Sequence, residues 1–138
     1  GKACYEGGTE FLVYGLDQAW LLAHPQIKDA IDRKKQYALV HEGGGIISHA
    51  HPFREEDYIP EIRLFPEYVD AVEGVNAMHS SRRATATRTR CLTAALAYGK
   101  EHNLPFTAGS DQHTTHMIGG GMVFPRKLKD IHDLHVRA

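Results

Sequence analysis

The sequence predicts an α/β fold, and three observations carry that expectation. Apolar runs of strand length recur near residues 11–16, 45–49, 69–75 and 104–108. Segments with helical spacing lie between them, and glycine, proline or asparagine marks most junctions. Elements alternating in this way build sheets through right-handed β–α–β crossovers.

The elements follow in order. Residues 11–16 read as a short strand ended by Gly15 and Asp17, and Asp17 is placed to cap a turn through residues 18–24 that Pro25 interrupts. Residues 26–42 carry Ile27, Ala30, Ile31 and Ala38 with charges between them, the spacing of an amphipathic helix, and Gly43, Gly44 and Gly45 stop it. A buried-type strand over residues 45–49 runs into Ala50, His51 and Pro52, followed by a charged loop at residues 54–58. A weak helix or turn is expected over residues 60–68, then a strand over 69–75. Ser80 or Ser81 is placed to cap a long helix reaching about His102, with Leu92, Ala95, Leu96 and Gly99 on one face and Asn103 as its stop. Residues 104–108 form the next strand, residues 122–124 a further short one, and Leu128, Ile131 and Leu134 begin a last helix.

Composition narrows the function classes. The chain has 138 residues, 42% hydrophobic and 24% charged, with a formal net charge of -1, which suits one soluble domain. That balance argues against an electrostatic nucleic-acid binder or a membrane-surface protein. The basic run of Arg82, Arg83, Arg88 and Arg90 reads as a solvated helix face. No apolar run approaches the ~20 residues needed to cross a bilayer, and a cytoplasmic location is the default. The two cysteines, Cys4 and Cys91, form no CxxC pair, so neither a disulfide framework nor a cysteine-rich zinc site is expected.

Histidine is the outlier, with ten in the chain. In parallel α/β folds functional groups stand just beyond the C-terminal ends of strands. Three successive strand ends here carry His49 and His51, then Asn76 and His79, then Asp111 and His113. Imidazole nitrogen and carboxylate oxygen suit zinc, manganese or iron better than calcium. Alternation in an extended segment would send His49 and His51 to one side, and Pro52 favours extended backbone at His51. The bland reading of the same pair is one histidine at a polar turn and one packed under a loop. Asp111 and His113 equally fit an N-capping aspartate beside a surface histidine.

Four stretches, residues 11–17, 44–54 ending in His-Pro-Phe-Arg, 72–76, and 107–113 containing Gly-Ser-Asp-Gln-His, resemble in order and spacing the second half of the PHP (polymerase and histidinol phosphatase) domain. The resemblance covers nearly the whole chain. It implies that residues 1–138 are a single partial domain, the C-terminal half of a distorted (β/α)7 TIM-like barrel holding two or three divalent metal ions. The implied activity is metal-dependent phosphoester hydrolysis by metal-activated water, and the alternative is a non-catalytic metal-binding or interaction module. Carried over by position, His51, Asp111 and His113 are metal ligands, and Asp111 also serves catalysis. Arg54 stands where a guanidinium could grip a substrate phosphate, or is an ordinary loop arginine. His49 is not a family ligand but lies close enough to join the site, and Glu73 and Asn76 fit the strand pattern. The family's ligand glutamate ahead of the Leu-Val-Tyr-Gly strand is expected to be absent, with Glu6 and Glu10 out of register. The expected partners are a small phosphorylated substrate and either the missing N-terminal half or a second copy, because an open half-barrel exposes a sheet edge.

Overall fold

The computed structural model describes residues 2–4, 9–29, 32–78, 85–116 and 119–137. His79, Ser80 and Ser81, and with them two expected caps and one expected site residue, lie outside these. The architecture is mixed α/β, with a five-stranded open sheet in the order β1-β2-β3-β4-β5. The strands are β1 (Lys2–Cys4), β2 (Glu10–Tyr14), β3 (Ile46–His49), β4 (Ala71–Asn76) and β5 (Phe106–Gly109). The helices are α1 (Gln18–Ala23), α2 (Arg33–Glu42), α3 (Thr85–Glu101) and α4 (Ile131–Arg137), with a 3-10 turn at Pro25–Lys28.

Only β3, β4 and β5 run parallel; β1 with β2 and β2 with β3 are antiparallel. This departs from uniform β–α alternation and has a direct consequence. The start of β2 lies at the same rim as the C-terminal ends of β3, β4 and β5, with Phe11 opposite His49.

The cap at Asp17 forms as expected, its carboxylate accepting from the Trp20 amide at 2.7 Å. The helix expected over residues 26–42 is shorter. The Asp29 amide closes the 3-10 turn onto the Gln26 carbonyl, and Asp32 caps α2 by accepting from the Lys34 amide at 2.8 Å. Residues 60–68 make turns and no helix.

Asn103 stops α3 as expected. It takes a left-handed φ of 53°, while the Leu104 amide reaches the Gly99 carbonyl at 2.8 Å and the Asn103 amide the Lys100 carbonyl at 3.3 Å. These are the two bonds of a Schellman cap. Gly99 lets α3 lie against the sheet, since a Cβ there would stand 2.3 Å from the Phe106 ring. The strand expected over residues 122–124 does not form: the segment pairs with no strand and Val123 is 99% exposed. The bend ahead of it, with φ of 143° at Gly119 and 82° at Gly120, carries the chain away without a ladder.

The core lies between α2 and the face of the sheet bearing Phe11 and Ile47, joined by Tyr37, Val40 and Val69. Phe11 meets Tyr37 and Phe65 edge-on, at ring centroid separations of 5.0 and 6.2 Å. Glu10, Ser48, Glu73 and Thr107 alternate onto the opposite face.

Candidate functional site

The rim where β3, β4 and β5 end gathers a buried polar cluster. His51 follows β3 on backbone with φ of 27°, so the extended conformation expected ahead of Pro52 is not adopted. The reason is a turn in which the Arg54 amide donates to the His51 carbonyl at 3.0 Å. Asp111, just past β5, is also left-handed at φ 48°. Such backbone costs a non-glycine residue about 1–3 kcal/mol and clusters at functional sites.

This turn redirects the imidazole. His51 Nε2 lies 2.7 Å from Glu10 Oε2, both side chains being buried, and the His51 amide donates to Glu73 Oε2 at 2.8 Å. Glu10, set aside in the sequence as out of register, is thus the carboxylate that meets His51. The antiparallel course of β2 delivers it, with the Ala50 amide donating to the Glu10 carbonyl at 3.1 Å. A charged residue opening an apolar strand was the signal for it, since only function or pairing repays its burial.

Asn76, at the end of β4, donates from Nδ2 to Glu73 Oε2 at 3.0 Å and to Asp111 Oδ2 at 3.3 Å. Arg54 Nη2 donates to the same Asp111 oxygen at 2.5 Å, with side-chain exposures of 8% and 12%. Burial alone would raise the Asp111 pKa, but the Arg54 hydrogen bond and charge, with Asn76, hold it below the ordinary carboxylate value. Arg54, expected in a charged loop, is a buried partner of Asp111. The cluster runs unbroken from Glu10 through His51, Glu73, Asn76 and Asp111 to Arg54.

Two expected site residues stand at its margins. His113 is exposed, and its Nδ1 donates to the Asp111 carbonyl at 2.8 Å. That bond fixes the tautomer and leaves Nε2 as the lone-pair nitrogen suited to a metal. His49 lies on the other face, its ring tilted 30° against Phe11 at a centroid separation of 4.7 Å, so His49 and His51 do not direct their rings to one point. Its buried Nδ1 has no hydrogen-bond partner among the described residues. Burial first, then the nearby His51 and Arg33, lower its pKa to about 3.

His49 therefore sits neutral in the folded chain and near its ordinary value of about 6.5 in the unfolded one. Stability from this histidine is complete above pH ~6.5 and falls as the pH drops from there towards 3, because the unfolded state takes up the proton first. Urea unfolding of His49→Leu should show a flatter stability profile between pH 6.5 and 4.5 than the wild type. Parallel profiles would contradict the assignment.

The donor chemistry matches a zinc, manganese or iron centre, but the convergence does not. Among the described residues no three histidine, cysteine, aspartate or glutamate side chains come together as a metal-ligand group. Asp111 is engaged by Arg54 and Asn76, and His51 by Glu10. Among the same residues, no helix is long and apolar enough to cross a membrane.

A family model described as PHP-associated matches residues 92–135, from the middle of α3 into α4. The match includes Asp111 and His113 and begins beyond Glu10, His51, Arg54 and Glu73. No curated protein and no solved structure matches the chain. The likeness seen across the sequence thus meets an independent match in its last third, where residues 92–135 are similar to the PHP-associated family model.

Proposed function

We propose that the chain supplies part of a metal-dependent phosphoesterase site, with His51, Asp111 and His113 among the ligands and Arg54 as the group that holds substrate phosphate. The observation that carries this reading is the buried cluster itself. Glu10 and Glu73, both buried, and the partly buried Asp111 bring three carboxylates to one rim beside an imidazole, a clustering of ionisable groups that is common at functional sites. Further donors, from outside the described residues or from a second chain, complete the ligand set. Bound metal ions in such sites lower the pKa of water and so supply hydroxide near neutral pH.

The residues at hand have defined tasks in this reading. Glu10 orients the His51 ring, and Glu73 fixes the His51 backbone through its amide. Arg54 trades its bond to Asp111 for a phosphate oxygen when substrate enters, which releases the carboxylate at the same moment. Guanidinium suits this exchange because its planar fork accepts carboxylate and phosphate alike.

The half-barrel reading has its own support. Ser48 on β3 and Thr107 on β5 share a 2.8 Å hydrogen bond across the intervening β4. Neighbouring strands stand ~4.8 Å apart, so in a flat sheet these side chains would remain roughly twice that distance from each other. A sheet curled with Glu10, Ser48, Glu73 and Thr107 on its concave side would bring these side chains together, which supports the half-barrel reading. Such a sheet has edges to cover, and self-association or pairing with the N-terminal half is part of this proposal.

One observation favours a non-catalytic metal-binding or interaction module instead: Asp111 is already satisfied by Arg54 and Asn76. Hydrolysis of an aryl phosphate with zinc or manganese added separates the two readings. Turnover by the wild type that falls at least a hundredfold in Asp111→Ala supports the phosphoesterase, and metal binding without turnover supports the module.

A further inference from the structure

We propose that the cleft between the end of β4 and α3 is a pocket for the organic part of a phosphate ester, and that it takes a single aromatic ring. The inference rests on the phosphoesterase reading and adds a substrate class to it. The cleft has a volume of about 250 Å³, and among the described residues it meets the polar cluster through His51, Glu73 and Asn76. The other described residues that line it are small or apolar, Phe53, Leu92 and Ala95 among them. A bulge between Glu73 and Val75 breaks the register of β4 against β5 beside the cleft. Bulges re-aim the side chains around them, and this one lies where the polar end meets the apolar wall.

Size selects the occupant. A closed apolar cavity of ~150 Å³ holds benzene, whereas drug-sized ligands occupy roughly 300–1,000 Å³. The cleft falls between the two, room for one ring and a short linker. Its polarity fixes the direction: the ring lies against Phe53, Leu92 and Ala95, and the ester oxygen points to the rim at His51. Glu73 stands at the entrance already bound to the His51 amide and Asn76, so the polar end is rigid and does not fold into the cleft.

The test is an NMR titration of the full chain with phenol, inorganic phosphate and phenyl phosphate, each alone. Phenol should shift the methyl signals of Leu92 and Ala95 saturably, and phosphate the signals of Arg54 and Asp111. Phenyl phosphate should bind at least tenfold more tightly than either part. Leu92→Trp, which fills the cleft from a half-buried position, should weaken phenol binding at least tenfold and leave phosphate binding unchanged.

Absence of saturable phenol shifts in the wild type overturns the proposal without need of any variant, as do shifts that persist in folded Leu92→Trp. Phenyl phosphate binding no tighter than its parts overturns the link to an ester. A phosphate titration that leaves Arg54 and Asp111 unmoved, with phenol still bound, counts against the phosphoesterase reading and against the ester link, while the ring pocket stands.

Discussion

Replacing Arg54 with methionine should destabilise the fold by about 3–5 kcal/mol, the range for stranding one member of a buried ion pair. Asp111 would keep its backbone position while losing the cation that neutralises it, and Asn76 alone does not replace a charge. Replacing both partners, Arg54→Met with Asp111→Leu, should recover most of the loss, since two apolar groups of similar size carry no desolvation debt. Urea unfolding of the four proteins gives the coupling directly. A single-variant loss below ~1 kcal/mol would place the pair with weak surface bridges and contradict its burial. The sign of the pH effect follows from the lowered Asp111 pKa. The pair's contribution is complete above the unfolded carboxylate value of about 3.9 and fades as the pH falls through the lower folded value, and Arg54→Met should abolish that part of the acid transition.

Phe11→Ala should cost about 3–5 kcal/mol, as truncation of a buried phenylalanine does where the surroundings cannot collapse. Phe11 is 2% exposed and packs against Tyr37, Phe65 and His49, with the Arg33 guanidinium 5.3 Å from its ring centre. Its neighbour in sequence is Glu10, so the same substitution should loosen the Glu10–His51 contact. Thermal unfolding reports the first effect, and the His51 imidazole NMR signals report the second. Phe11→Leu, which retains most of the volume, should lose less than half as much stability. Equal losses in both variants would show that ring geometry, and not cavity formation, sets the cost.

What the sequence revealed depended on how local each signal is. Asp17, Asn103 and the triple glycine at residues 43–45 act within a few residues of themselves, and all three end or begin elements as expected. The start of α2 was obscured because Asp32 and Asp29 terminate turns by side-chain and backbone bonds that periodicity does not register. Residues 122–124 have strand-like composition, but a strand exists only with a partner, and among the described residues none pairs with them.

The site divides in the same way. Strand ends located His51 and Asp111, because in parallel strands position along the chain predicts the rim. Glu10 was missed because β2 runs antiparallel, a property of pairing and not of the strand's own residues. The shared direction assumed for His49 and His51 failed at the left-handed turn that begins at His51. Arg54 was singled out through the resemblance alone, and its bond to Asp111, far along the chain, was not legible.

The proposed metal centre takes His51 and Asp111 among its ligands. Metal content by mass spectrometry tests it most directly, measured on the chain after incubation with zinc or manganese and removal of excess ion. The account predicts stoichiometric metal in the wild type and a loss of at least tenfold in both His51→Ala and Asp111→Ala. A wild type that retains no metal, or variants that retain as much as the wild type, would contradict it.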